Sequence, residues 1–100
     1  MKKIINGVAY NTDKCETLCE YTRYQSSSNL PSAYMRLLRA NDGKILEWCD
    51  ATGQDRYVTD YLRIVDPCER NDFGDMLIDS YEPDDEQLER LVELGIVKEA

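Results

Sequence analysis

The chain has 100 residues, 42% of them hydrophobic, with 20 Asp/Glu against 12 Lys/Arg and a formal net charge of −8. That length and composition suit one domain with one modest core. No apolar run is long enough for a membrane span or signal peptide, so a cytoplasmic protein with reduced cysteines is expected.

The first element is announced by Asn6-Gly7 between two short apolar runs, which predicts a hairpin of residues 2–5 and 8–10 with a type I′ turn. Asn11, Thr12 and Asp13 supply capping oxygens, and Glu16 stands three residues after Asp13. Cys15, Leu18, Cys19 and Thr22 follow at helical spacing, predicting a short amphipathic helix over 13–23. Gln25 to Ser32 reads as a polar loop. A second hairpin is predicted from 34–40 and 44–50 around Asn41-Asp42-Gly43. In its return strand Leu46 and Trp48 share one face while Ile45 and Cys49 share the other, as in a strand covered on both sides.

After a turn at 51–55, residues 56–65 alternate as a strand, with Val58, Leu62 and Ile64 on one side and Tyr57, Tyr61 and Val65 on the other. Pro67 ends it. Residues 66–75 form an acidic loop, and Met76 to Ile78 read as a last short strand. Pro83 precedes Asp84, Asp85 and Glu86, carboxylates suited to the positive end of a helix dipole. Leu88, Leu91, Val92 and Leu94 give that helix its apolar stripe. Gly95 is placed to end it, with Ile96 folding back onto Leu91. The order argues for an α+β fold: a small antiparallel sheet built from hairpins, flanked by a short N-terminal helix and an acidic C-terminal helix, in a single domain over 1–100.

Catalytic signals are sparse. There is no histidine, which removes Ser–His–Asp and Cys–His catalysis and the usual zinc-hydrolase ligand sets. Cys15, in a predicted first helical turn, gains some thiolate stabilisation there, but a packed core thiol is the expectation. Cys15 and Cys19 make a C-x3-C pair, but Cys49 and Cys68 are unpaired, which does not fit a structural zinc site. Asp66, Glu69, Asp72 and Asp75 recur every three residues, whereas a calcium loop needs alternate oxygen ligands and a closing Glu. No phosphate-cradling Gly loop occurs. The expectation is a protein that is not an enzyme and uses neither metal nor cofactor.

Charge and tyrosine are the informative features. Residues 66–100 hold twelve carboxylates and three cations, a net of −9, while residues 1–65 balance at +1. Such a field repels nucleic acid and attracts basic surfaces; its bland alternative is a solvated face that keeps the protein soluble. Among the seven tyrosines, Tyr21 and Tyr24 lie near the end of the first predicted helix and Tyr57 and Tyr61 on one predicted strand face. Tyrosine is frequent at interfaces and equally at home in half-buried packing.

The opening Lys3-Ile4-Ile5-Asn6-Gly7-Val8-Ala9-Tyr10-Asn11-Thr12 (K-x-I-N-G-x-x-Y-N-T) resembles the start of a group of small bacterial and mobile-element proteins. The strand pair around Gly43 and the acidic-started helix from Pro83 to Leu94 are similar to later parts of the same pattern. Trp48 to Gly53 depart from it, standing where a Gly-rich aromatic segment belongs. The resemblance implies a phage or mobile-element accessory protein in a host bacterial cell, and its acidity is similar in kind to anti-CRISPR proteins and other nucleic-acid mimics. The expected function is inhibition of a basic nucleic-acid-binding protein such as a CRISPR effector, with no direct nucleic-acid binding. Asp72, Asp75, Asp79, Asp84, Asp85, Glu86, Glu89 and Glu93 are the candidate surface, with Tyr81 as an anchor. The alternative is a small structural or regulatory adaptor, as a homodimer, joined through a Tyr/Trp strand face.

Overall fold

The computed structural model describes residues 1–26 and 28–100. Asn6 (φ 52°) and Gly7 (φ 79°) both take the left-handed conformation that a type I′ turn requires. They join β1 (Lys2–Ile5) to β2 (Val8–Asn11), paired from Ile5↔Val8 to Lys2↔Asn11.

The helix expected over 13–23 is replaced by a strand. Asn11 caps only a single 3-10 turn, Thr12–Lys14, accepting the Asp13 N–H at 3.0 Å. The chain then extends as β3 (Glu16–Tyr24). Thr17, Tyr21, Thr22 and Tyr24 favour a pleated strand, and a bulge explains the misleading spacing. Thr17 opposes Leu38 and Cys19 opposes Leu37, leaving Leu18 as an extra residue. Consecutive Leu18 and Cys19 are therefore both buried, which imitates a helical stripe.

The polar loop ends at Leu30, and Pro31 and Ser32 already belong to β4 (Pro31–Arg39). Within that stretch Ser27 lies outside the described residues. The second hairpin forms as expected, with Gly43 at φ 86° between β4 and β5 (Ile45–Ala51). By contrast, β6 spans only Tyr61–Ile64. Asp55 accepts the Tyr57 N–H through its side chain (3.0 Å) and the Val58 N–H through its backbone (3.1 Å), curling 56–60 out of the sheet. Val58 consequently packs on the side of Tyr61 and Val65, not with Leu62 and Ile64, and Tyr57 is exposed.

Strand order is β3-β4-β5-β6, all neighbours antiparallel, with β1-β2 as a separate two-stranded sheet. β5 is an inner strand with a core on each face, as its apolar pattern requires. Leu38, Leu46 and Leu62 face Tyr10 of the first hairpin. Met35, Leu37 and Cys49 face the C-terminal helices.

The last strand expected at Met76–Ile78 is absent. Met76 makes one isolated bridge with Arg70, after which Leu77–Ser80 form a helical turn, α1. The Leu77 and Ile78 amides donate to the Glu69 and Pro67 carbonyls (both 2.9 Å), so no strand ladder is left for them to join. α2 (Asp85–Glu93) is capped at both ends. Asp84 Oδ1 accepts the Gln87 N–H at 2.8 Å and Gln87 Oε1 accepts the Asp84 N–H at 3.0 Å, a reciprocal capping box. At the other end Gly95 (φ 73°) donates to Val92 O and Ile96 donates to Leu91 O, both at 2.9 Å, the Schellman pattern. Leu91 is fully buried, and Arg90 grips Glu16 of β3 through two 2.8 Å bonds. The result is a small α+β fold. No helix of the described residues is long and apolar enough to cross a membrane.

Candidate functional site

Carboxylates occur here in two conditions. Glu47 on β5 is 2% exposed, yet both its oxygens are engaged. Oε2 accepts the Tyr81 hydroxyl at 2.7 Å, and Oε1 accepts the Tyr61 hydroxyl at 2.9 Å and Arg63 Nη2 at 3.0 Å. Burying a charge is tolerable only with such pairing. Burial first, and Glu47 next, push the Tyr61 hydroxyl up to about 12 and raise Tyr81 as well. With no free oxygen and almost no exposure, Glu47 ties α1 to the sheet and has nothing to offer a substrate.

Tyr81, expected as a surface anchor, belongs to this network. It is 2% exposed and stacks edge-on against Tyr21 with ring centroids 4.8 Å apart. Its position after α1 turns it inward, because Ile78 and Tyr81 share the face of that turn directed at the core.

The other candidate residues are all on the surface: Asp72, Asp75, Asp79, Asp84, Asp85, Glu86, Glu89 and Glu93 are exposed. Asp84 is occupied in the capping box, and Glu93 lies 3.5 Å from Arg90. Among the described residues the remaining six carboxylates have no ion-pair partner. Asp72 and Asp75 lie in the loop before α1, Asp79 on α1, and Asp85, Glu86 and Glu89 on α2, whose ends are held by its caps. Unneutralised carboxylates give this part of the surface a negative field.

A second surface carries arginine and aromatic groups. Register places Glu20, Arg36 and Trp48 side by side across β3, β4 and β5, with Trp48 also packed against the cluster that holds Tyr10. The Arg36 guanidinium lies 4.7 Å from the Trp48 ring centroid and 5.9 Å from that of Tyr34, which is 41% exposed. Arg36 also bonds Asp50 at 2.9 Å and Glu20 at 3.3 Å, so its charge is spent within the face.

No family model matches the chain, and no curated protein or solved structure matches it.

Nucleophilic chemistry finds little support in three of the four thiols, Cys15, Cys19 and Cys49. Cys15 is not in a helical turn; its Sγ lies 3.4 Å from the Asn11 carbonyl oxygen, and burial raises its pKa. Burial pushes the Cys19 thiol up to about 12 and raises that of Cys49. A cleft of about 410 Å³ beside the first hairpin is lined by Lys2, Tyr10, Lys14, Cys15 and Asp42. The Tyr10 hydroxyl there donates to Asp42 Oδ2 at 2.7 Å, which raises the Tyr10 pKa. Among the described residues no three His, Cys, Asp or Glu are grouped to share a metal.

Two residues escaped the sequence reading. Glu47 carried a signal, a lone charge inside the apolar run Ile45-Leu46-Glu47-Trp48-Cys49. Phe73, inside the acidic loop, is 90% exposed. Its signal was the tight Asn71-Asp72-Phe73-Gly74 sequence, whose turn lifts the ring away from the core.

Proposed function

We propose that this is a non-enzymatic acidic protein, of phage or mobile-element type, that binds and inhibits a basic nucleic-acid-binding host protein in the bacterial cytoplasm. The observation that carries the reading is the set of six exposed carboxylates without ion-pair partners among the described residues, on a loop, the short turn α1 and the capped helix α2. Such groups occupy a cationic groove in place of phosphates, with affinity drawn from opposite fields and released counterions. An anti-CRISPR protein acting as a nucleic-acid mimic is the specific form proposed, with a CRISPR effector as target. The test is a tagged pull-down from a bacterial lysate containing CRISPR effectors, at low and high salt and with competing DNA. Capture of a basic nucleic-acid enzyme, released by both salt and DNA, is expected. Capture indifferent to both contradicts mimicry.

A second reading is favoured by the Arg36 face. With Tyr34 exposed and Trp48 half-buried, this half of the sheet has the amphipathic aromatic composition of protein interfaces. It fits a homodimeric adaptor. Sedimentation across a concentration series distinguishes the two, because only the adaptor self-associates, and Tyr34→Ser then abolishes the dimer.

A further inference from the structure

We propose that Phe73 is the apolar anchor of the acidic surface, inserted on binding into an apolar patch bordered by lysine or arginine on the partner protein. The inference rests on the acidic-binder reading above and names what such a partner must add to charge.

Phe73 is the only phenylalanine in the chain and its most exposed large apolar side chain, at 90%. Isolated exposed apolar residues are common, but this one is mounted. Asn71 Oδ1 accepts the N–H groups of both Phe73 (2.9 Å) and Asp75 (3.0 Å). Gly74 N donates to Asn71 O at 3.0 Å, and Asn71 N donates to Asp75 O at 2.9 Å. Arg70 Nη1 bonds the Gly74 carbonyl at 2.6 Å, and Arg70 bridges Met76. An apolar ring held this way loses little backbone freedom on binding, and aromatic side chains dominate interface hot spots.

The neighbours decide what the ring meets. Asp72 and Asp75 flank it, both exposed and both without an ion-pair partner among the described residues. Carboxylates at a stacking aromatic repel phosphates, which disfavours nucleic acid, and they repel anionic lipid headgroups equally. They complement a basic protein surface. The arrangement separates the two parts of recognition: carboxylates set the encounter and its salt dependence, and the ring sets residence on one surface.

The test compares two probes by fluorescence titration: a lysine homopeptide, and a lysine/leucine amphipathic peptide of equal charge. The wild-type protein is expected to bind the lysine/leucine peptide at least about 10-fold tighter. Phe73→Ser is expected to erase that preference, leave the lysine homopeptide's affinity and salt slope unchanged, and leave the unfolding midpoint in place. Phe73→Leu should keep part of the preference. Leu88 on α2, 41% exposed beside Asp85 and Glu89, provides the control. If Leu88→Gln removes the preference while Phe73→Ser keeps it, the anchor assignment falls. If the homopeptide binds and the wild type shows no preference, it falls as well while the acidic-binder reading stands. If neither peptide binds, both fall together.

Discussion

Glu47 and the carboxylates of the C-terminal third are the same chemical group treated in opposite ways. Glu47 is sealed into the sheet with two tyrosine hydroxyls and a guanidinium on its oxygens. Asp72, Asp75, Asp79, Asp85, Glu86 and Glu89 face water with no ion-pair partner among the described residues. A charge whose bonds are all made inside the fold works for the fold. A charge left open on a rigid support is available to something outside. Composition adds these groups into one number, −8, and hides the division.

The largest effect on stability should come from the closed side. Glu47→Ala leaves the buried Tyr81 hydroxyl without its acceptor and frees Tyr61 and Arg63, a loss on the order of 3 kcal/mol. Urea unfolding measures it, and a loss no greater than that of an exposed site would dissolve the distinction between the two groups. Asp84 sits on the border between them, since it is exposed but caps α2. Asp84→Ala should cost about 1 kcal/mol, and in binding studies its structural and recognition effects are mixed. It is therefore kept out of the charge-reversal set below. Reversing Asp72, Asp75 and Glu89 to Lys should move stability by only about 0.5 kcal/mol per site or less. Asp85 and Glu86 sit in the first turn of α2, where a lysine opposes the helix dipole, and are left unchanged.

Two pH titrations sharpen the comparison further. Tyr61 and Tyr81 are raised above the ordinary 10.0, Tyr61 to about 12, by burial and by Glu47. A raised value favours the protonated tyrosine in the folded state. Their contribution is thus intact below pH 10 and lost as pH rises through the folded values. Tyrosinate absorbance should show a late phase above pH 10 in step with alkaline unfolding, and Glu47→Gln should bring it earlier. On the acid side the Arg90 hydrogen bond holds the Glu16 carboxyl below its ordinary 4.5. Its contribution is present above 4.5 and is lost as pH falls through the folded value. The pair is partly exposed, so the effect should be small and weaken in salt. Arg90→Ala should flatten that part of the acid-unfolding profile.

Local chemistry made parts of the fold readable in advance. Asn6-Gly7 and Asn41-Asp42-Gly43 specify their turns through residues that accept positive φ, and Pro83 to Gly95 carries both ends of its helix. The two-faced burial of β5 followed from Leu46 and Trp48 alternating with Ile45 and Cys49. What failed was periodicity wherever the backbone inserts or removes a residue. The bulge at Leu18 made β3 look helical, and the turn at Asp55 cut β6 short. At the candidate surface, the excess of carboxylates was legible because only three cations stand among the twelve in residues 66–100. Which of them were free was not, since Asp84 and Glu93 differ from Asp85 only in neighbours reached by folding. Tyr81 points inward for the same reason: its partner, Glu47, is thirty-four residues away in sequence.

The most direct measurement compares the wild-type protein with the Asp72/Asp75/Glu89→Lys variant in salt-dependent, DNA-competed capture of a basic nucleic-acid-binding protein, with urea unfolding run on both. The expected result is an unfolding midpoint close to wild type together with loss of capture. Undiminished capture by a variant that remains folded would contradict the assignment of the open carboxylates to binding.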